Sequence, residues 1–93
     1  MSKSIISNER ECYVCGTIVN LHRHHIFYGM ANRKQSEKYG CWVFLCPKHH
    51  NISNAGVHFN KAVDIELKQK CQRKFMEVYP DLDFIKTFGK NYL

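Results

Sequence analysis

The chain has 93 residues, a formal net charge of +6, five cysteines and six histidines. A chain of this length forms one small domain, and such domains often need a metal or disulfides to supplement a modest hydrophobic core. The odd cysteine count disfavours a complete disulfide framework, and residues 1–11 have no apolar run typical of a secretory signal. No segment approaches the roughly 20 apolar residues of a membrane span. We expect one α+β domain over residues 1–93 in a reducing, cytoplasmic compartment, with its core at about 12–60 and a helical cover at 61–93.

The first half of the chain is typical of a small hairpin. Residues 18–27 are rich in β-branched and aromatic side chains and predict a strand or an extended hairpin arm. Residues 41–45 are short and apolar throughout and predict the second strand. Between them, residues 28–39 are polar and basic, which predicts a loop with at most a helical turn around residues 33–38.

Helices are predicted for the second half. Pro47 suits the first position of a helix, since its missing N–H would be unpaired there anyway, and Gly56 is expected to interrupt that helix. Asn60 is a candidate N-cap for a long helix over 61–79, which Pro80 stops. Its apolar face is expected to carry Val63, Leu67, Cys71 and Phe75. Its polar face is expected to carry Lys68, Gln69, Gln72 and Arg73. A last short helix over 82–88 ends at Gly89.

Two short Cys/His pairs have the spacing of metal-binding knuckles. Cys12 and Cys15 form one pair, and Cys46 and His49 form the other. Four such ligands close a tetrahedral shell around zinc with bonds of about 2.0 to 2.3 Å, which makes the site structural. Cys41 is left out, because its odd spacing from Cys46 points the two side chains to opposite faces of a strand. The pattern predicts a structural Zn²⁺.

A second group of histidines lies next to the predicted zinc ligands. Phosphodiester hydrolysis needs a base that activates water and a cation at the scissile phosphate, and a histidine suits the first role. We predict that His25, at the end of the first strand, is the general base. We predict that His24 and His50 bind a catalytic divalent ion, and His58 is a further candidate ligand. His22 is expected to be a surface or DNA-contact histidine.

The basic residues predict a polyanionic partner, because lysine and arginine supply sequence-independent affinity for phosphates. A soluble basic protein with no nucleic-acid role has the same charge, so charge alone does not choose between the two. The residues predicted to contact DNA are Arg23, Arg33, Lys34 and Lys38. For the three of these that lie in the 28–39 segment, the competing interpretation is a solvated loop.

These motifs resemble those of a known family. Cys12-x-x-Cys15, His24-His25-Ile26 and Leu45-Cys46-x-x-His49-His50-Asn51 resemble the HNH endonucleases, which have a ββα-metal core. The stretch Gly56-Val57-His58-Phe59 and the ending Phe88-Gly89-Lys90-Asn91-Tyr92-Leu93 are similar to small HNH proteins of tailed bacteriophages. The resemblance therefore covers nearly the whole chain.

The resemblance implies a zinc-stapled ββα-metal domain with an added C-terminal helix, around one catalytic divalent ion. It implies cleavage of DNA, here expected to be double-stranded, in the bacterial host cell of a phage, with phage packaging or recombination proteins as candidate partners. The catalytic ion is expected to be Mg²⁺, Mn²⁺, Ni²⁺, Co²⁺ or Zn²⁺. Three histidine ligands favour the transition metals, whereas the resemblance also permits magnesium.

The chain departs from the family at the middle asparagine, where it has Cys41. Asn32, Asn51 and Asn54 are candidates to orient the base instead, and the sequence does not choose among them. Two other functions fit part of the pattern, namely a non-catalytic zinc-stapled nucleic-acid-binding module and a small zinc adaptor for other proteins. The binding module does not need the adjacent pair of histidines beside His50, and that juxtaposition favours the nuclease. The resemblance makes the adaptor a context in which a nuclease works rather than a rival to it.

Overall fold

The computed structural model describes residues 3–52 and 60–93, and its two strands form an antiparallel hairpin. Strand β1 spans His22–His25 and strand β2 spans Trp42–Leu45. The register pairs His22 with Leu45 and His25 with Trp42. The second strand is thus confirmed, starting one residue later than predicted. The prediction for the first strand, residues 18–27, is too long. Asn20 has a left-handed φ of 53°, and residues 18–19 before it are exposed.

The connection between the strands is a helix, α1, over Met30–Tyr39, so the predicted loop is wrong. Its polar residues are mostly lysine, arginine, glutamine and glutamate, which are good helix formers, and polarity alone did not separate a helix from a loop. Gly40 ends the helix in the left-handed conformation, and its N–H donates to the Ser36 carbonyl. The buried Ser36 hydroxyl donates to the Phe27 carbonyl (2.7 Å), which ties α1 to the end of β1.

A single turn of π-helix, Lys48–Ile52, follows β2. Pro47 itself has helical conformation, which confirms the prediction that it occupies the first position of a helical segment. The wide turn presents His49 and His50 as neighbours at the start of the helix, directly after Cys46. The predicted interruption at Gly56 lies outside the described residues.

Helix α2 spans Lys61–Val78 and α3 spans Phe84–Phe88. The Asn60 side chain accepts a hydrogen bond from the Val63 N–H (3.2 Å), which confirms the predicted N-cap. Asp83 caps α3 in the same way, so this helix starts two residues later than expected, and Gly89 ends it in the left-handed conformation.

One face of α2 is packed as predicted and the other is not. Leu67, Cys71 and Phe75 are buried in the core, and Val63 packs against it. Lys68 and Gln72 were expected to face solvent, yet they are only 8% and 3% exposed. The reason is non-local: the C-terminal residues cross this face, and the Gln72 side chain donates to Asn91 Oδ1 and accepts from the Tyr92 N–H, both at 2.8 Å.

The core brings the two halves of the chain together. Phe27, which follows β1, contacts Phe84 and Phe88 of α3, with ring centroids 5.1 and 4.5 Å apart. Phe75 of α2 adds to the same aromatic cluster. Burial of large aromatic side chains dominates the packing energy of a core this small. No helix among the described residues is long and apolar enough to span a membrane.

Candidate metal centre and histidine cleft

The first predicted metal knuckle is a tight loop. The Gly16 N–H donates to the Cys12 carbonyl and the Cys12 N–H donates to the Thr17 carbonyl, both at 2.8 Å. Gly16 adopts a φ of +78°, which suits a residue without a side chain where the backbone turns back. The loop thus turns both of its thiols toward the segment that follows β2.

The second knuckle completes a group of four ligands. Ligand atoms of Cys12, Cys15, Cys46 and His49 all lie within 4.8 Å of one another. The Cys15 and Cys46 sulfurs are 3.7 Å apart, and His49 Nδ1 lies 3.8 Å from the Cys12 sulfur and 3.2 Å from the Cys46 sulfur. In a tetrahedron with zinc–sulfur bonds of about 2.3 Å, two sulfurs are about 3.8 Å apart. The spacing therefore fits a zinc-sized ion.

Thiol ionisation favours metal binding at Cys12 but not at Cys15: a backbone hydrogen bond involving Thr17 lowers the pKa of Cys15, but burial and the Cys12 and Cys46 side chains outweigh it and raise the pKa. Burial raises the pKa of Cys12, but backbone hydrogen bonds involving Cys46, Cys15 and Val14 outweigh it and lower the pKa from 9.0 to about 6. A thiolate rather than a thiol is the form that binds metal. Cys41 and Cys71 are fully buried and lie outside this group, as predicted.

The alternation of side chains along β1 divides its four residues between two neighbours. Successive residues of a strand point to opposite faces, so residues two apart share a face. His22 and His24 contact His50 of the π-helical turn, whereas Arg23 and His25 contact Glu37 of α1. The adjacent pair His24-His25 therefore serves two different sites.

His50 lies against both histidines of its side. Its ring centroid is 5.1 Å from that of His22 and 5.2 Å from that of His24, and the Nδ1 atoms of His22 and His50 are 3.0 Å apart. The expected proximity of His24 and His50 is thus present. His22, expected to be a surface or DNA-contact residue, is half-buried and its ring packs against His50. The further candidate ligand, His58, lies outside the described residues.

On the other face, Glu37 holds His25. The Nε2 atom of His25 lies 2.8 Å from Glu37 Oε2, and Arg23 pairs with the other carboxylate oxygen. Burial raises the pKa of Glu37, but hydrogen bonds from His25 and the charges of Arg23 and His25 outweigh it, so the pKa is lowered. Glu37 is not among the site residues predicted from the sequence. Recognising 30–39 as a helix would have placed Glu37 one turn after Arg33, facing the strand.

Within the described residues, the side chain that contacts His25 is Glu37 of α1 rather than Asn32. Asn32 lies one turn and a residue earlier on α1. Asn54 and the side chain of Asn51 lie outside the part of the chain that is described. A carboxylate on Nε2 fixes the neutral ring as the tautomer with its proton on Nε2, which leaves the Nδ1 lone pair as the basic site.

Both histidine sites open into one cleft. A cavity of about 230 Å³ is lined by Arg23, His24, His25, Tyr28, Arg33 and His50. It adjoins a wider cavity of about 730 Å³, which shares Arg23, His25, Tyr28 and Arg33 with it and adds Gly29, Met30, Lys34 and Glu37. The shared residues make the two cavities parts of one depression between β1, α1 and the π-helical turn.

The predicted phosphate contacts divide into three groups. Arg33 and Lys34 are exposed on α1 and line the cleft. Arg23 also lines it, but its guanidinium is held by Glu37 and by the Trp42 ring, 3.9 Å away. Lys38 is exposed on α1 and lies 5.2 Å from the centroid of the Tyr39 ring, and it is not among the residues that line the cleft.

The fold and the site define a class. The protein is a small α+β protein with a two-stranded antiparallel sheet, helices and a Cys₃His group that could hold a metal ion such as zinc. Comparisons with models of known protein families, with curated proteins and with solved structures give no significant match. The resemblance to HNH endonucleases therefore stays a prediction from the sequence.

Proposed function

We propose that this protein is a metal-dependent endonuclease that hydrolyses phosphodiester bonds in double-stranded DNA, with a structural Zn²⁺ at the Cys₃His group. One observation carries the proposal: His25, paired with Glu37, and the His24–His50 pair line the same cleft together with arginine side chains. A nucleic-acid-binding module needs basic residues and a zinc staple. It does not need a carboxylate-paired histidine beside a second group of histidines.

In this proposal His25 is the general base. Its Nε2 proton is held by Glu37, so Nδ1 accepts a proton from the attacking water. The negative charge of Glu37 then stabilises the imidazolium that forms, as a buried carboxylate does beside the histidine of a hydrolytic triad. The water oxygen bonds to phosphorus while the bond from phosphorus to one bridging oxygen breaks.

The donors on the opposite face of β1 fit a divalent transition-metal ion. His24 and His50 offer imidazole nitrogens, and their ring centroids are 5.2 Å apart. Bound there, such an ion supplies positive charge to the scissile phosphate and the leaving oxygen. His24 is only 2% exposed, so close packing restricts the positions that its ring can adopt beside His50.

The basic residues at the cleft support DNA as the substrate. Arg33 and Lys34 lie on the wall of the cleft that α1 forms, where they reach a phosphate backbone without contacting base edges. Such contacts position a duplex and carry no sequence information. The proposed enzyme therefore cuts with little sequence preference of its own, and its affinity for DNA falls with salt.

A plasmid-nicking assay tests the proposal. Zinc-loaded protein is incubated with supercoiled plasmid and each of Mg²⁺, Mn²⁺, Ni²⁺, Co²⁺ and Zn²⁺. We expect metal-dependent nicking, lost by about 100-fold or more in His25→Ala, the typical contribution of a general base being 10²- to 10⁴-fold. His50→Ala should also lose activity, and both variants should keep their zinc and their circular dichroism spectrum.

The exposed Lys86→Ala, on α3 and outside the cleft lining, is the matched control and should nick like the wild type. Wild-type protein that binds DNA but nicks it with none of the five ions would overturn the nuclease in favour of the binding module.

A further inference from the structure

Met30 is the most exposed large apolar side chain among the described residues, at 90%, and it stands at the first position of α1. It lines the wider cavity of the cleft together with His25. So exposed a side chain adds nothing to the core, and the proposed chemistry does not use it. We propose that Met30 is a wedge that inserts between two stacked base pairs of bound duplex DNA. The inference rests on the proposed function only in placing duplex DNA in the cleft.

One face of α1 carries the residues that line the cleft. Residues three, four and seven positions apart lie on the same face of a helix. Arg33, Lys34 and Glu37 stand at these spacings from Met30, and all of them line the wider cavity. Glu37 holds the proposed base, whereas Arg33 and Lys34 offer cations to phosphates. An apolar side chain therefore stands one helical turn from the proposed phosphate contacts, at the end of the face remote from the base.

The backbone that carries Met30 is firmly held. The Arg33 N–H donates to the Gly29 carbonyl at 2.8 Å, which closes the first turn of the helix around Met30. Further along, the Ser36 hydroxyl and the Glu37 carboxylate tie α1 to the end of β1. A wedge needs such support, because separating two stacked base pairs costs free energy and a loosely held side chain would be displaced.

The type of side chain and its place both suit insertion. Methionine is unbranched and polarizable, and it is one of the apolar residues that proteins insert between base steps from the minor groove. That groove is about 6 Å wide, whereas a helix with its side chains is about 10 Å across. The helix must therefore stay over the phosphates while one projecting side chain enters. Met30, with Arg33 and Lys34 one turn behind it, meets this requirement.

A wedge gives a preference among DNA sequences without any contact to base edges. Pyrimidine–purine steps such as TA unstack most easily, so the protein should favour them. Met30 lies about 10.5 Å along α1 from Glu37, the partner of His25. That length corresponds to about three base-pair steps of about 3.4 Å each, so we expect the unstacked step within about four base pairs of the bond that is cut.

The experiment measures unstacking in a duplex that has a single TA step between stiff A-tracts, with 2-aminopurine replacing the adenine of that step. Zinc-loaded His25→Ala is the parent protein, so that the duplex stays uncut. We expect its binding to raise the fluorescence of 2-aminopurine, which is quenched while the base is stacked. Adding Met30→Ala should abolish this increase, whereas adding Met30→Leu should retain it, because leucine is also an apolar wedge.

Duplex affinity is measured in parallel by fluorescence anisotropy. Met30→Ala should weaken it by less than about fivefold, since phosphate contacts supply most of the affinity. Met76→Ala is the matched control, because Met76 is 50% exposed on α2 and lines a different depression. Zinc content and circular dichroism verify the fold of every variant. A parent protein that binds the duplex without raising fluorescence, or a Met30→Ala variant that raises it equally, overturns the inference.

Mapping the nicks made by His25-containing protein separates this inference from the proposed function. On the same duplex without 2-aminopurine, wild type should cut within about four base pairs of the TA step, and Met30→Ala should cut evenly. A Met30-dependent rise in fluorescence with a protein that never nicks supports the wedge and overturns the nuclease. Nicking by a protein that leaves fluorescence unchanged does the reverse. A protein that binds no duplex overturns both the wedge and DNA as the substrate.

Discussion

The Nε2 atom of His25 lies 2.8 Å from Oε2 of Glu37, so the last residue of β1 is held by the last turn of α1. The two residues are twelve positions apart, and the helix between them is what makes the contact possible. Glu37 also engages Arg23, two residues earlier on the same face of the strand. One carboxylate thus fixes the orientation of a proposed base and of a cleft arginine.

Replacing this carboxylate should reduce activity more than stability. In Glu37→Gln the side chain keeps its size but loses the charge that stabilises a His25 imidazolium. We expect the rate of plasmid nicking to fall about 10- to 100-fold, comparable with the effect of removing partners of functional histidines in metal sites.

Glu77→Gln is the control for this substitution. Glu77 forms an exposed ion pair with Lys74 on α2. Surface pairs of this kind contribute little to stability. A Glu37→Gln variant with the nicking rate of the wild type would show that Glu37 does not act on His25.

The lowered pKa of Glu37 also predicts how stability depends on pH. A carboxyl that ionises more readily in the folded chain than in the unfolded one stabilises the fold above its ordinary pKa of 4.5. That contribution is lost as the pH falls through the lowered folded value. Because Glu37 is 34% exposed, we expect at most about 1 kcal/mol.

Urea unfolding of wild type and Glu37→Gln between about pH 7 and pH 3 measures this contribution. The comparison is restricted to the part of this range in which zinc content shows that both proteins stay loaded, because loss of the ion would unfold both. We expect the wild type to be more stable at pH 7 and the difference to shrink below pH 4.5. A difference that stays constant across this range contradicts the prediction.

Removing a ligand of the Cys₃His group should unfold the protein. Structural zinc sites contribute apparent binding energies of about 10 to 16 kcal/mol to small domains. A chain of 93 residues has only a small hydrophobic core, so its fold depends on such a contribution. We expect Cys46→Ala, or treatment of the wild type with a strong chelator, to abolish the cooperative thermal transition.

Cys71→Ala provides the comparison, since Cys71 is fully buried but lies outside the metal group. It should keep one zinc per chain and a cooperative unfolding transition. The transition should occur at a lower temperature, because the substitution leaves a small cavity in the core. Zinc content and thermal denaturation distinguish the two cases. A Cys46→Ala protein with the melting curve of the wild type would rule out the structural role of the metal.

Lys68 and Asp64 of α2 form a buried ion pair behind the cleft. Lys68 donates to Asp64 Oδ2 at 2.8 Å, with both side chains 9% exposed, and the Tyr28 hydroxyl donates to the same oxygen. The Lys68 ammonium also lies 4.1 Å from the centroid of the Tyr28 ring, which lines the cleft. Burial lowers the pKa of Lys68, but hydrogen bonding with Asp64 and Tyr28 outweighs it and raises the pKa.

Removing one charge of this pair should lower the free energy of unfolding more than replacing both charges by apolar groups. Asp64→Ala leaves the Lys68 ammonium buried without its carboxylate, for which we expect a loss of about 3 to 5 kcal/mol in the free energy of unfolding. The double variant Asp64→Leu with Lys68→Met replaces both charges by apolar groups and should recover most of it. Urea denaturation of Asp64→Leu, Lys68→Met and the double variant gives the coupling energy. Additive effects would mean that the two charges do not depend on each other.

The sequence predicted the elements that are coded locally. The spacing of the Cys and His pairs, the Asn60 cap and the glycine after α3 each act over a few residues, and all are found as expected. What it did not predict depends on distant packing. Glu37 reaches His25 only because α1 folds back on β1, and Gln72 is buried only because residues 91–92 cross α2. No periodicity along the chain encodes such contacts.

Gly40 offers a test of how tightly the N-terminal segment is fastened to the hairpin. It ends α1 with a φ of +74°, and its carbonyl accepts the Ile5 N–H at 2.9 Å. A Cβ added at this position would overlap the Lys3 carbonyl. Gly89 is the matched control, because it ends α3 with a φ of +80° and an added Cβ there would meet nothing within 4 Å.

Both glycines therefore carry the same backbone penalty for alanine, about 1 kcal/mol, and only Gly40 adds a steric clash. We expect Gly40→Ala to lose clearly more stability than Gly89→Ala in urea unfolding, and to release residues 3–6 from the hairpin. Hydrogen exchange at the Ile5 amide, which bonds to the Gly40 carbonyl, reports that release. Equal losses in the two variants, with the Ile5 amide still protected, would mean that the N-terminal segment shifts to accommodate the added methyl group and stays bound to the hairpin.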